Sequence, residues 1–500
     1  MSILLFFVTV LSRLPFTSEF LYHMDSGHFA LAMREFDVLH HQPHPPGYFL
    51  YVMLGRVFNI FAGDENYVLV LMSVLFSALT IVIIYYLGRE LFNDKIGIFA
   101  ALLALTSPNF WFHGEVALTY ATEAFFSALI GFVCWRIIEG NKEYLWFSAI
   151  ILAIAGGFRQ NTPIFLLPLW LYSVRKESPG KIFAAIGVFL LVSIAWFLPM
   201  LEITGGAGSY FEAFQELWKY NTGNNSAFEK GWPAIKLYGE VIYIFIFYTI
   251  AAALPILFLA FYAFARNKNR IMPSKRKTLF LAYWMLPSLF FYLLIFISPI
   301  NPGYILIIFP PLLLISATAI EYFAGEINRI TGRNFFAAIA VIVLLVNASL
   351  FLFSHYPVSR NEIHQHDRNL SVLFTSLETL NPSSTYLFMD HYLYSYRHSM
   401  VYLPEYQVYQ MDIRVRNTGK KRKLFFGKKG KTLFSESIEF PPNVNKFATL
   451  LVLENKNGIT FPPGLSLRKL SNKSFIVSGP VERVVEVYPE VGLYLTKSGK

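Results

Sequence analysis

The stretch MDSGHFALAMREFDVLHHQPHPPGYFLY, Met24 to Tyr51, decides how this chain is read. It follows an apolar run from Ile3 to Val10. It gathers Asp25, His28, His40, His41, His44 and a Pro45-Pro46-Gly47 step in one short segment. Most of the sequence up to residue 355 avoids such groups. Ionisable side chains are expensive in hydrocarbon, so where they gather they mark either a loop in water or a built site.

Working outward, the 500-residue chain is 55% hydrophobic and 15% charged, whereas a soluble domain carries about 25% charged residues. Its mean hydropathy is +0.46. The apolar bias fills residues 1–355 and then gives way to a polar tail, which implies a membrane domain (1–355) and a water-soluble domain (356–500). Cys134 is the only cysteine, so neither an intrachain disulfide nor a cysteine-rich metal site is expected. No charged region precedes the first apolar run, which reads as a retained span rather than a cleaved signal. No internal repeat is evident. The net charge of +10 sits largely in short loops between apolar runs, which is a topology signal and not a nucleic-acid one.

A spanning helix needs about 20 mostly apolar residues. Eleven candidates follow: 1–21, 66–88, 95–113, 116–138, 144–158, 161–174, 181–203, 238–265, 277–299, 302–323 and 334–355. With the N-terminus in the cytoplasm, the inner loops carry Arg89, Lys95, Arg136, Lys142, Arg175, Lys176, Lys181, Arg266, Lys268, Arg270, Lys275, Arg276, Lys277, Arg329 and Arg333. The opposite loops are poorer in Lys and Arg, so positive charge alternates across the series. The opening stretch, the loops at Glu115, Arg159 and Asn301, residues 204–237 and the tail then fall on the outer face. Residues 46–62 contain Arg56 and Asn59 and read as an interfacial or re-entrant helix. Residues 25–39 show helical spacing of Phe29, Ala32, Met33 and Phe36 and read as a second surface helix. The first outer loop, 23–62, therefore carries surface helices.

In the tail, TYLFMD, ATLLVLE, SFIVSG and VVEVYP read as strands of an α/β domain. The basic block Lys420–Lys431 reads as a solvated loop, with anionic head groups or phosphates as the functional option.

Asp25 sits at the start of a surface helix, where a carboxylate either caps the helix or does chemistry. Glu115 is read as opening the next span, where a helix-start carboxylate is the plain alternative. Glu123, eight residues on, is expected two turns into that span and on the same face, which points to a pocket. Arg159, Gln160 and Asn161 interrupt two apolar runs, and an arginine there can pair with a carboxylate, grip a phosphate, or merely snorkel. The histidines at 28, 40, 41 and 44 do not match a compact zinc spacing, so no metal ligand is assigned. His44-Pro45-Pro46-Gly47-Tyr48 imposes a stiff, turned backbone. These candidates lie at the outer ends of different spans, whereas transporters place such groups near the midplane.

These residues resemble a known family. Asp25-Ser26-Gly27 followed by His44-Pro45-Pro46-Gly47-Tyr48 is similar to the first outer loop of GT-C membrane glycosyltransferases, in the branch of the plexin-directed protein O-mannosyltransferase. His28 stands where that branch usually has a glutamate. GEVALTYATEAF resembles its second acidic motif, and NPGYILIIFPPLLL its late tyrosine motif. The resemblance is good over residues 10–175 and moderate over 299–322. It implies a polyprenyl-phosphate-linked hexose donor, a protein or glycan acceptor, and an inverting transfer outside a prokaryotic plasma membrane. It further implies Asp25 as base, Glu115 orienting acceptor or sugar, and Arg159 on the donor phosphate. His44, Glu123, Gln160, Asn161 and Tyr304 become pocket candidates. The resemblance leaves room for a divalent cation. The alternatives are a solute transporter or lipid flippase, a relative acting on a lipid or glycan, and a degenerate member that only binds glycans.

Overall fold

A computed structural model describes the chain except residues 224, 267–273, 391–395, 412–423, 436, 453–462, 471–473 and 496–500. The chain forms two units. One comprises Met1–Ser18 with Tyr48–Ile363, the other Glu19–Gly47 with His364–Lys500. The expected first outer loop, 23–62, is therefore divided. Its first part folds with the C-terminal unit, and its helix Phe49–Ala62 folds with the apolar helices.

In the first unit, seven helices among the described residues are long and apolar enough to cross a membrane. They are Glu65–Leu91, Tyr120–Ile138, Pro179–Ile203, Trp232–Ile250, Lys275–Leu294, Pro302–Thr331 and Phe336–Phe353. Side chains define helix starts: Asp64 accepts from the Tyr67 amide at 2.8 Å at the start of the first of these, and Asn93 from the Ile96 amide at 2.9 Å at the start of the shorter helix Asp94–Thr106. Large apolar side chains point out of the unit, among them Phe183 and Leu191 on one helix and Phe258 and Phe261 on another. Such a surface suits lipid rather than water.

The other four expected spans are shorter helices. Residues 1–21 give a helix only to Arg13, before a single-turn 3-10 segment that contains Pro15. Residues 95–113 break at Ser107, because Pro108 lacks the amide that would continue the ladder. Helices Tyr144–Phe158 and Asn161–Val174 are separated by the Arg159–Gln160 break. The expected span 238–265 is itself two helices, Trp232–Ile250 and Leu254–Arg266. Lys268 and Arg270, used in reading the charge alternation, lie outside the described residues.

The second unit is built on a seven-stranded mixed sheet of β1 (Thr385–Asp390), β2 (Gln407–Met411), β3 (Leu424–Lys428), β4 (Lys431–Ser435), β5 (Lys446–Val452), β6 (Ser466–Lys469) and β7 (Ser474–Pro480). The strand order is β4-β3-β2-β1-β5-β7-β6, with β1 parallel to both neighbours and the outer pairs antiparallel. Phe388, Tyr409, Phe447 and Val477 form the core under one face. Three of the four expected strands are present. VVEVYP instead begins with a short helix, Val484–Val487, whose Val484 packs into that core. The basic block differs from the expected loop. Lys420–Lys423 lie outside the described residues, and Leu424–Lys431 form a hairpin turning at Lys429 and Gly430, both at positive φ.

Candidate active site

In the second unit, helix Met24–Arg34 opens with a reciprocal cap. His23 Nδ1 accepts from the Asp25 amide at 3.2 Å, and Ser26 Oγ accepts from the His23 amide at 3.3 Å. The cap is thus His23, not Asp25. Gly27 is needed for space, since a Cβ there would lie 2.9 Å from Arg397 Cβ. Every residue of Asp-Ser-Gly has a distinct task, and only Asp25 has its side chain left out of the cap.

Around Asp25 the chain folds three imidazoles. His28 Nδ1 and His44 Nδ1 each lie 3.6 Å from Asp25 Oδ1, and His23 Nδ1 lies 3.5 Å from Oδ2. His28 Nδ1 and His44 Nδ1 are 3.0 Å apart. Burial by itself would raise the Asp25 pKa, but the nearby His44 and His23 rings, with a hydrogen bond from His28, hold it well below the ordinary carboxylate value. Its side chain keeps 23% of its exposure, so an ionised carboxylate remains reachable. His28 is 4% exposed, and that burial pushes its pKa well down, leaving a neutral ring. His40 belongs elsewhere: its Nδ1 meets Asp37 Oδ2 at 2.6 Å. The His28–His44 pairing, sixteen residues apart, escapes any rule based on short spacing.

The first unit holds a second centre. Glu123 lies in the first turn of helix Tyr120–Ile138, not two turns in, and is fully buried. Arg159 Nε stands 3.2 Å from its Oε2, and Arg159 Nη1 donates to Thr119 Oγ1 at 2.8 Å. The guanidinium lies 4.4 Å from the Tyr120 ring centre and 5.5 Å from that of Tyr304. Burial would lower the Arg159 pKa. Glu123, with the Tyr120, Tyr48 and Tyr304 hydroxyls, more than reverses this, and the group stays cationic. Tyr304 is carried by a 3-10 turn that Asn301 caps, accepting from the Gly303 amide at 3.2 Å. Gly303 is obligatory, because a Cβ would lie 2.3 Å from the Tyr120 ring. Gln160 and Asn161 follow Arg159 and open the next helix. Sequence reasoning missed Tyr48, Thr119 and Tyr120 as partners of Arg159. Tyr48 was visible as the last residue of the His-Pro-Pro-Gly-Tyr motif.

Glu115 does not share a helix face with Glu123. It lies in the bend before Tyr120, fully buried, and accepts from Trp111 Nε1 at 2.5 Å. Burial pushes its pKa well up, against the opposing charges of Arg13 and Arg360. Its backbone carbonyl also accepts from the Ser18 amide at 2.9 Å. These contacts tie Glu115 to the bend before Tyr120.

The geometry can now be set beside known proteins. Residues 25–179 match the model of the protein O-mannosyl-transferase TMEM260 N-terminal domain. The structure superposes on ArnT from Cupriavidus metallidurans bound to undecaprenyl phosphate, with a TM-score of 0.56 and 13% identity over 95% of this chain and 96% of that one. It likewise matches the apo state of that ArnT, with a TM-score of 0.53 and 14% identity over the same shares. The fold is GT-C. No curated protein matches the sequence. Within the GT-C fold, the family match covers Asp25, His28, His44, Glu115, Glu123 and Arg159, and leaves Tyr304 outside it.

Proposed function

We propose that this chain is an inverting membrane glycosyltransferase that moves a hexose, in the first instance mannose, from a polyprenyl-phosphate donor to a hydroxyl on a protein or glycan. The observation that carries this reading is the ionised, accessible Asp25 carboxylate, held by histidines within the stretch that matches the O-mannosyl-transferase model. The acceptor hydroxyl gives its proton to Asp25 as its oxygen bonds to the sugar's anomeric carbon. The bond from that carbon to the phosphate oxygen breaks, and its electron pair leaves on the phosphate. A phosphate is a good leaving group, so one carboxylate suffices, whereas a glycosidase needs two.

Arg159, with Tyr304, Gln160 and Asn161 close by in fold or sequence, is the group assigned to the donor phosphate. Glu123 keeps its guanidinium aligned. A shallow apolar groove between helices Phe49–Ala62 and Glu65–Leu91, lined by Phe58, Phe61, Tyr67, Val68, Leu71 and Leu75 and open to the surface, is the place offered to the polyprenyl chain. Glu115 holds the bend before Tyr120 in shape, and its effect on acceptor or sugar would be through that bend. The outer face of a prokaryotic plasma membrane remains the proposed location, the sidedness on the charge alternation of the loops and the membrane on the family resemblance.

The test is transfer from polyprenyl-phosphate mannose by the detergent-solubilised protein. Asp25→Asn is expected to lower turnover about 10²–10⁴-fold, the usual range for losing a general base. Transfer at the unmutated rate would remove Asp25 from the mechanism.

A further inference from the structure

The three imidazoles around Asp25 exceed what a general base requires. One neighbour would orient a carboxylate, yet His28 and His44 turn the same nitrogen, Nδ1, toward the same oxygen. Asp25 Oδ1, His28 Nδ1 and His44 Nδ1 form a triangle with sides of 3.0, 3.6 and 3.6 Å. A point equidistant from corners so spaced lies about 2.0 Å from each, which is the bond length of Zn²⁺ to imidazole nitrogen or carboxylate oxygen. An ion slightly above that plane would complete three legs of a tetrahedron. These residues are the group among those described whose ligand atoms converge in this way.

We propose that Asp25, His28 and His44 bind one divalent transition-metal ion, of the Zn²⁺ or Co²⁺ class, through these three atoms. The ligand set of two imidazoles and one carboxylate is one that zinc accepts, and it disfavours Mg²⁺ and Ca²⁺, which want oxygen. Three protein ligands leave a fourth position open. Asp25 Oδ2 is not among the ligands and faces His23 instead, so it stays available for a proton. The local backbone fits the role. Helix Met24–Arg34 places Asp25 and His28 one turn apart on one face, and Pro45, Pro46 and Gly47, the last at φ +112°, follow His44 with a fixed turn.

The functional consequence, an ion beside the acceptor hydroxyl, rests on the glycosyl-transfer reading; the binding itself does not. The experiment therefore measures binding without substrate. The full-length protein in detergent is stripped with a chelator and titrated with Co²⁺ and then Zn²⁺. We expect one Co²⁺ per chain with the intense visible bands of a tetrahedral ion, displaced stoichiometrically by Zn²⁺. This arm needs no mutation, so it does not depend on a variant folding. His28→Gln and His44→Gln are each expected to weaken binding at least 100-fold, and His40→Gln to leave it unchanged. Absence of a bound, tetrahedral Co²⁺ in the unmutated protein would overturn the proposal and leave a shared proton between the two rings as the meaning of their contact. Binding that survives both His28→Gln and His44→Gln would overturn it equally. Sugar transfer that persists in chelator would separate the two readings, because the enzyme would stand while the ion's part in its reaction fell.

Discussion

Two carboxylates, Asp25 and Glu123, each sit among partners that favour their charge, yet the two sites are built in opposite ways. Asp25 keeps 23% of its side-chain exposure and is surrounded by imidazoles that can be neutral or charged. Glu123 is sealed, and its partner is a permanent cation. A carboxylate that keeps access and changeable neighbours can exchange protons or hold an ion. One locked to a guanidinium can only position it. The difference teaches where chemistry is to be sought: not at the most deeply buried acid, but at the one left reachable.

The comparison is sharpest if each site is broken separately. Asp25→Asn should abolish most transfer and, because the fold favours the ionised carboxylate, also lower the midpoint of thermal unfolding; transfer at the unmutated rate with only the midpoint lowered would mean that Asp25 is structural after all. Arg159→Ala should lower transfer through the lost phosphate contact and also cost more stability, because it leaves Glu123 as an uncompensated buried charge at a cost of about 3–5 kcal/mol. Adding Glu123→Gln to that variant should recover part of the loss, and a strictly additive double mutant would dissolve the pair.

Next in size is a pH effect on the segment that leads into Asp25. His366 Nε2 and His398 Nε2 both donate to the Leu21 carbonyl, at 3.1 and 2.7 Å. Burial pushes His366 down to about 4 and His398 to about 3. In the unfolded chain both take a proton near 6.5, roughly. Stability is therefore complete above about 6.5, falls as the pH drops below it, and stops falling from each group once its folded value is passed. The loss should be on the order of a few kcal/mol. Protection factors over residues 19–23, taken relative to the slower intrinsic exchange at lower pH, should fall between pH 7 and pH 5, and equal protection at both would refute it.

A smaller effect is expected from Gly303→Ala, whose methyl would collide with Tyr120; about 1–3 kcal/mol, read by thermal unfolding, is the usual scale. The smallest belongs to Lys431, which meets Glu35 at 2.8 Å with both groups well exposed. Lys431→Met should cost well under about 1 kcal/mol. A larger loss would show that the exposed hairpin matters more than its accessibility suggests.

The membrane helices were legible because lipid leaves a simple signature: long apolar runs with basic residues between them. Their ends were less so. The Ser107–Pro108 break was written in the sequence as a proline, while the start at Tyr120 rather than Val116 was not, because a buried bend at Glu115 is held by Trp111 from outside the run. VVEVYP alternates like a strand and is short enough for packing against the sheet to override that preference.

By itself the sequence determined the class of molecule, a membrane-embedded helical region and a polar sheet-bearing tail, and singled out Asp25, His44, Glu123 and Arg159 as worth watching. Hydrophobicity and charge act over whole segments, so they survive as patterns in one dimension. Only the tertiary structure decided who meets whom. His28 reaches His44, Tyr48 and Tyr304 bear on Arg159, and Arg397 crowds Gly27, across separations in the chain that no local spacing encodes. Distances of a few ångströms between such residues are fixed by how the elements pack, and that is where a carboxylate becomes a base, a ligand, or the silent half of an ion pair.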